Sequence, residues 1–186
     1  MTNAEKQKKL DRITKQIERC AVCKEGKTGV AVPGEGNPDA DIVFLGEAPG
    51  KQEAKSGRPF IGRSGQLLRG LIREAGLKEE DVYITSPVKY LPLRGTPTKS
   101  DIAHAKEHLF KQLDVIEPKF IVLLGSVAAQ AMLGKVLPIT KEHGNIFHEG
   151  ERTYFLTFHP AAALRFPPLK KELVKDFEKL KGLLPH

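Results

Sequence analysis

Four short apolar runs, "DIVFLG" (41 to 46), "VYITS" (82 to 86), "FIVLLG" (120 to 125) and "TYFLTF" (153 to 158), stand far apart in the chain. Helical patterns separate the first three, "SGQLLRGLIREAG" and "SDIAHAKEHLFKQLDVIE", and "SVAAQAMLG" follows the third. Strands that alternate with helices of this length pair in parallel, because a parallel connection must cross over the sheet, and the helices then cover its faces. The expected class is α/β. Upstream, Leu10, Ile13 and Ile17 recur at spacings of three and four among charged residues, which predicts an amphipathic helix over 3 to 19. The segment "KEGKTGVAVPGEGNPDA" reads as loop, and "LKKELVKDFEKLKGLL" as a terminal amphipathic helix. No repeat divides the 186 residues, so one domain spanning 1–186 is expected.

A composition 40% hydrophobic and 28% charged suits a folded chain. The opening "TNAEKQKKLDRITK" is too polar for a secretory signal, and no apolar stretch is long enough to span a bilayer. A cytoplasmic, reducing location without a membrane partner is therefore the expectation, and a monomer. In that compartment Cys20 and Cys23, the only two cysteines, read as metal ligands or a redox pair rather than a disulfide. The redox pair is the weaker fit, since that motif opens a helix after a strand and Cys20 ends a polar helix. A net charge of +7 favours a polyanionic partner where the charge gathers on one face. With no Trp and only 6% aromatics, any base stacking must rest on one or two residues.

Ligands of parallel sheets bind beyond the carboxyl ends of the strands. The segments there are "GEAPGKQEAKSGRPF", "SPVKY", "GSVAAQ" and "HPAAALRF". The run "GEAPGK" is not a phosphate loop: three residues rather than four separate its glycines, and Gln52 follows the lysine. What it offers is Glu47, a carboxylate at the sheet mouth. His159 follows the last strand and precedes Pro160, so it is placed to donate to an anion forming at the same mouth.

The blocks "GEAPGKQEAKSGRPFIGRSGQLL", "VYITSPVKY", "FIVLLGSVAAQAMLG" and "FHPAAALR", in this order and spacing, resemble the uracil-DNA glycosylase superfamily, and most of all its iron-sulfur family four. The resemblance runs from the cysteine pair to the final helix. It implies a three-layer α/β/α sandwich with a central, mainly parallel four-stranded sheet. It also implies an enzyme of base excision repair that flips uracil out of DNA, single- or double-stranded, and hydrolyses its N-glycosidic bond. His159 matches the residue that stabilises the departing uracil anion, and Glu47 the acid that positions water or balances the cationic sugar. Phe60 matches the aromatic that stacks on the flipped base, Gly46 and Ala48 line the base edge, and Ser86 faces it. Leu164 and Arg165 resemble the loop that enters the base stack. Arg58, Arg63, Lys89 and Arg165 are candidate phosphate contacts, and Ser64, opening a helix with Gly65, offers backbone N–H groups.

Two departures from the family qualify this reading. Ser86 stands where family four has an asparagine, whose amide reads the uracil edge. A hydroxyl is shorter and rotates to suit its partner, so a wider range of deaminated bases is expected, or a damaged-base binder with altered turnover. The family also holds a four-iron cluster on four cysteines. Here Tyr90 takes the third position and His104 falls at or beside the fourth, so a four-cysteine cluster cannot form in one chain. His104 and His108, four apart on a helix, share one face. A set of Cys20, Cys23, His104 and His108 suits a structural Zn2+, with an iron-sulfur cluster as the family-based alternative. His143 and His148 receive no role.

Overall fold

The computed structural model describes residues 1–184. Helix α1 (Asn3–Arg19) and the single turn α2 (Ala21–Lys24) lead into two-residue strands β1 (Lys27–Thr28) and β2 (Glu35–Gly36), then β3 (Ile42–Leu45). The chain continues through α3 (Glu53–Ser56), α4 (Arg63–Glu74), β4 (Tyr83–Thr85), β5 (Leu91–Pro92), α5 (Lys99–Ile116) and β6 (Phe120–Leu124). It closes with α6 (Ser126–Leu133), α7 (Ile139–Glu142), β7 (Ile146–Glu149), β8 (Arg152–Thr157), α8 (Pro160–Arg165) and α9 (Pro167–Leu183). Local chemistry starts α1, which leads into Cys20 and Cys23, and α5, which carries His104 and His108. Thr2 and Glu5 form a reciprocal capping box on α1, and Thr98 and Asp101 do the same on α5.

The main sheet has the order β2-β4-β3-β6-β8-β7. Its four central strands, β4, β3, β6 and β8, are mutually parallel, as the four apolar runs predict. Two short antiparallel strands, β2 and β7, extend its edges to six. β2 falls in a segment whose sequence reads as loop, whereas β7 falls in "EHGNIFHEG", which reads as a turn-rich hairpin and forms one with β8. The two residues of β2 are too few for any periodicity, and "IFHE" of β7 has an apolar pair where a half-buried strand would alternate. A separate two-stranded ribbon pairs β1 with β5.

Side chains alternate across the central strands and build two cores. Val43, Leu45, Ile121, Leu123 and Leu156 pack under α1, α5 and α6 through Leu10, Ile13, Ile17, Leu109, Leu113 and Ala128. Phe44, Ile84, Val122, Leu124 and Phe155 face α4, α8 and α9 through Leu68, Ile72, Ala163, Leu173 and Phe177. This is the three-layer α/β/α sandwich.

In the parallel register Leu45 lies level with Thr85 on one side and with Leu123 on the other, and Leu124 level with Thr157. The strands therefore end together, and Gly46, Ser86, Gly125 and His159 emerge along one edge. Two backbone hydrogen bonds bind that edge, Gly46 N–H to Thr85 O at 2.9 Å and Gly125 N–H to Thr157 O at 2.8 Å. Gly125 has φ 96° and ψ 176°, and a β-carbon there would lie 3.1 Å from Cβ of His159. Only glycine adopts this conformation readily. Gly125→Ala is expected to cost about 1–3 kcal/mol in denaturant unfolding; unchanged stability would mean that the edge tolerates a shifted turn.

Candidate active site

The edge opens into a cavity of ≈ 290 Å³ lined by Glu47, Ala48, Phe60, Ser64, Ser86 and His159 among others. Residues from three separate sequence blocks thus meet in one pocket. Gly46 is what lets them close: a β-carbon there would lie 2.4 Å from Cζ of Phe60 and 3.0 Å from Oγ of Ser86. The Phe60 ring faces the His159 ring, with centroids 5.8 Å apart and planes at 28°. Together they leave a flat apolar wall with one polar tip.

His159 is the N-cap of α8, a short helix where the sequence suggests a loop. Its Nδ1 accepts the Ala161 N–H at 3.0 Å, and Pro160 fills the first helical position, where a missing N–H costs nothing. An accepting Nδ1 places the proton of the neutral ring on Nε2. One edge of the ring remains open to the cavity, yet the surrounding protein desolvates the imidazole and pushes its pKa down to about 4. Near neutral pH the pocket therefore presents an uncharged N–H donor. Glu47 is half-buried on the same wall, and burial raises its pKa above the ordinary 4.5. Where it is ionised, its charge is screened less than it would be in water.

The other predicted site residues divide. Arg63 and Arg165 are exposed, Leu164 is 38% exposed at the end of α8, and Ser64 lies in the first turn of α4, whose N-cap is Gly62 with no side-chain cap. Phe166, two residues beyond Leu164 and missed in the sequence, is 52% exposed, with the Arg165 guanidinium 5.6 Å from its ring centroid. Arg58 is committed elsewhere: its Nε and Nη2 bond both oxygens of Glu35 at 2.9 Å, so a phosphate would have to displace a bidentate carboxylate.

Lys89 is not a surface contact, which corrects its sequence assignment. It is 2% exposed, and its ammonium donates to Gln112 Oε1 at 2.7 Å, Thr85 Oγ1 at 2.8 Å and the Pro33 carbonyl at 3.1 Å. It ties the end of β4 to the β1–β2 loop and to α5. A lysine in "SPVKY" carries no mark of burial. Glu53 and Arg69, which hold the turn around Phe60, were also missed: each looks like an ordinary charge on a surface helix.

The larger cavity, ≈ 490 Å³, lies beside the Cys/His residues, with Pro87, Val88 and Lys89 on its wall. Ligand atoms of Cys20, Cys23, His104 and His108 all lie within 4.8 Å of one another. Nε2 of His104 is 3.2 Å from the Cys20 sulfur and 3.4 Å from that of Cys23. Donors about 2.3 and 2.0 Å from one tetrahedral ion would stand about 3.4–3.8 Å apart, so the four are already near a single-ion arrangement. His108 supplies an independent sign. It is 4% exposed, and its two ring nitrogens are the only buried side-chain polar atoms without a hydrogen bond among the described residues. Such orphaned groups need a partner. A cluster held by four cysteines cannot form: only two thiols are present, and Tyr90, at the third position of the resemblance, donates its hydroxyl to the Ile17 carbonyl at 3.4 Å.

Comparison with known proteins agrees with this geometry. Residues 33–181 match the family model of the uracil DNA glycosylase superfamily. The type-4 uracil-DNA glycosylase of Sulfurisphaera tokodaii is 41% identical over an alignment that covers 94% of this chain and 84% of that protein. That of Thermotoga maritima is 40% identical over 94% of each chain, and that of Archaeoglobus fulgidus 38% identical over 92% of this chain and 91% of its own.

The buried position of Lys89 has a measurable consequence. Burial lowers its pKa from 10.5 to about 7, so between those values the unfolded chain binds more protons than the folded one. The stability contributed by this group is then complete above pH 10.5 and is lost as pH falls toward 7. Melting temperatures of the wild type relative to Lys89→Met are expected to rise as pH is raised across that window. A flat difference would place the ammonium in water.

Proposed function

The chain belongs to the uracil DNA glycosylase superfamily, and from that premise we propose that it excises uracil from DNA as the first step of base excision repair. The observation that carries the proposal is the pocket itself: an aromatic wall, a neutral N–H donor and a carboxylate, brought together from three strand ends. A flipped uracil stacks on Phe60, with Gly46 and Ala48 along its edge and Ser86 at the base-reading position. The bond between C1′ and N1 breaks with its electron pair going to the base. The Nε2–H of His159 donates to the carbonyl oxygen where that charge gathers, and costs no reorganisation because the Ala161 N–H already fixes the ring. Glu47 faces the other fragment, stabilising the cationic sugar or orienting the water whose oxygen joins C1′ and whose proton passes through the carboxylate to solvent while the uracil anion takes up a proton in its place.

Outside the pocket, Leu164 is placed to fill the gap left by the flipped base, with Phe166 beside it. Arg63, Arg165 and the first-turn N–H groups of α4 are placed to take phosphates, without reading sequence. Ser86 offers a rotatable hydroxyl in place of a fixed amide, which supports a wider base range than uracil alone. The metal site belongs to a different task. Cys20, Cys23, His104 and His108 hold one Zn2+, which ties the turn after α1 to α5 and does no chemistry on the base.

Uracil-containing oligonucleotides, single- and double-stranded, followed by alkali to reveal abasic sites, test the activity. Cleavage is expected and should fall about a hundredfold in His159→Ala; tight retention of DNA without cleavage would instead make the protein a damaged-base binder. The rate should decline as pH falls through the raised Glu47 pKa, and Glu47→Gln, slower throughout, should lose that limb. A parallel hypoxanthine substrate reads the base range: release by the wild type that is lost in Ser86→Asn is expected, and no difference between them would remove Ser86 from base selection.

Metal analysis of purified protein tests the second site. About one zinc per chain is expected, without iron or the brown colour of a cluster, and lost in Cys23→Ser. Iron with acid-labile sulfide, or no metal, would overturn the assignment.

A further inference from the structure

Two carboxylates line the base pocket, and only one of them belongs to the mouth of the sheet. The second, Glu53, opens α3 and is 8% exposed. Its Oε1 accepts two consecutive backbone N–H groups, Ile61 at 2.9 Å and Gly62 at 2.8 Å. Both immediately follow Phe60, which adopts φ 50°, a left-handed backbone that an aromatic residue enters only at a cost of about 1–3 kcal/mol. Something must hold it there. On the opposite side of the turn Arg69 donates to the carbonyls of Phe60, at 2.9 Å, and Pro59, at 2.8 Å. The two carbonyls that end at Phe60 are therefore bonded to a cation and the two amides that follow it to a carboxylate, so the turn is held from both ends.

We infer that Glu53 is a positioning residue for the base pocket, holding the left-handed turn that presents the Phe60 ring to the flipped base. This rests on the glycosylase reading for its effect on rate. Its function depends on reach and acceptance rather than on charge. A glutamine oxygen reaches the same two amides, and an aspartate, one methylene shorter, does not. Alanine leaves both amides without an acceptor, and the turn is then free to carry the ring away from Gly46 and His159. Displacement of a stacking wall by about 1 Å is enough to cost about a hundredfold in rate.

Single-turnover excision of uracil, measured well below the melting temperature, separates the possibilities. Glu53→Asp and Glu53→Ala are expected to be slowed about a hundredfold, and Glu53→Gln to stay within a few-fold of the wild type. Should the alanine variant not fold, the Asp and Gln variants decide alone. Glu53→Gln as slow as Glu53→Asp would overturn the inference by giving the charge a direct part in the chemistry. A lower melting temperature with an unchanged rate in Glu53→Asp would overturn it too, leaving only a structural role. A wild type that releases no uracil would sink the glycosylase reading but not this one, because amide exchange reads the clamp directly. Protection at Ile61 and Gly62 should persist in Glu53→Gln and vanish in Glu53→Asp; equal protection in both would refute the clamp.

Discussion

Parallel pairing in register constrains this molecule more than any other interaction. Once Val43 sits beside Tyr83 and Ile121, the ends of β3, β4 and β6 are level, and β8 joins them through Leu124 and Thr157. Beyond the last hydrogen bonds of that edge, from Gly46 to Thr85 and from Gly125 to Thr157, the chain turns, and turning exposes whatever follows each strand. Glu47, Ser86 and His159 come together for this reason alone. A slip of one residue in any pairing would send that strand's apolar set to the wrong core and also remove its polar residue from the pocket. Core and site are specified by the same hydrogen bonds.

Two polar clusters share the segment after β4 without sharing chemistry. Ser86 and Leu91 line the base pocket, whereas Pro87, Val88 and Lys89 line the cavity beside the Cys/His residues. Pairing of β1 with β5, and the Leu93 N–H bonded to the Gly26 carbonyl at 3.0 Å, fastens this wall to the chain that follows the cysteines. Lys89 fastens it from behind. The pocket wall is therefore braced on one side by the buried amino group of Lys89 and on the other by a lobe in which His108 has no hydrogen-bond partner.

Much of this was legible in the residues. The four central strands show in the sequence as apolar runs because strands covered on both faces need no polar alternation. His159 and Glu47 could be placed because each directly follows such a run. What could not be read depends on distance in space. Lys89 looks like any lysine beside a motif, and only the fold shows Gln112, Thr85 and Pro33 around its ammonium. Glu53 and Arg69 look like solvated helix charges until the turn at Phe60 is seen between them. The helix after His159 was hidden by its brevity: in "PAAALR" the residues are good helix formers, but fewer than two turns give no periodicity.

His159 serves α8 as well as the pocket. Its Nδ1 caps the helix whose far end carries Leu164, so the imidazole and this exposed leucine lie at the two ends of one short helix. A tilt of that helix turns the imidazole with it. Whatever meets Leu164 from outside is therefore coupled mechanically to the aim of the ring inside the pocket.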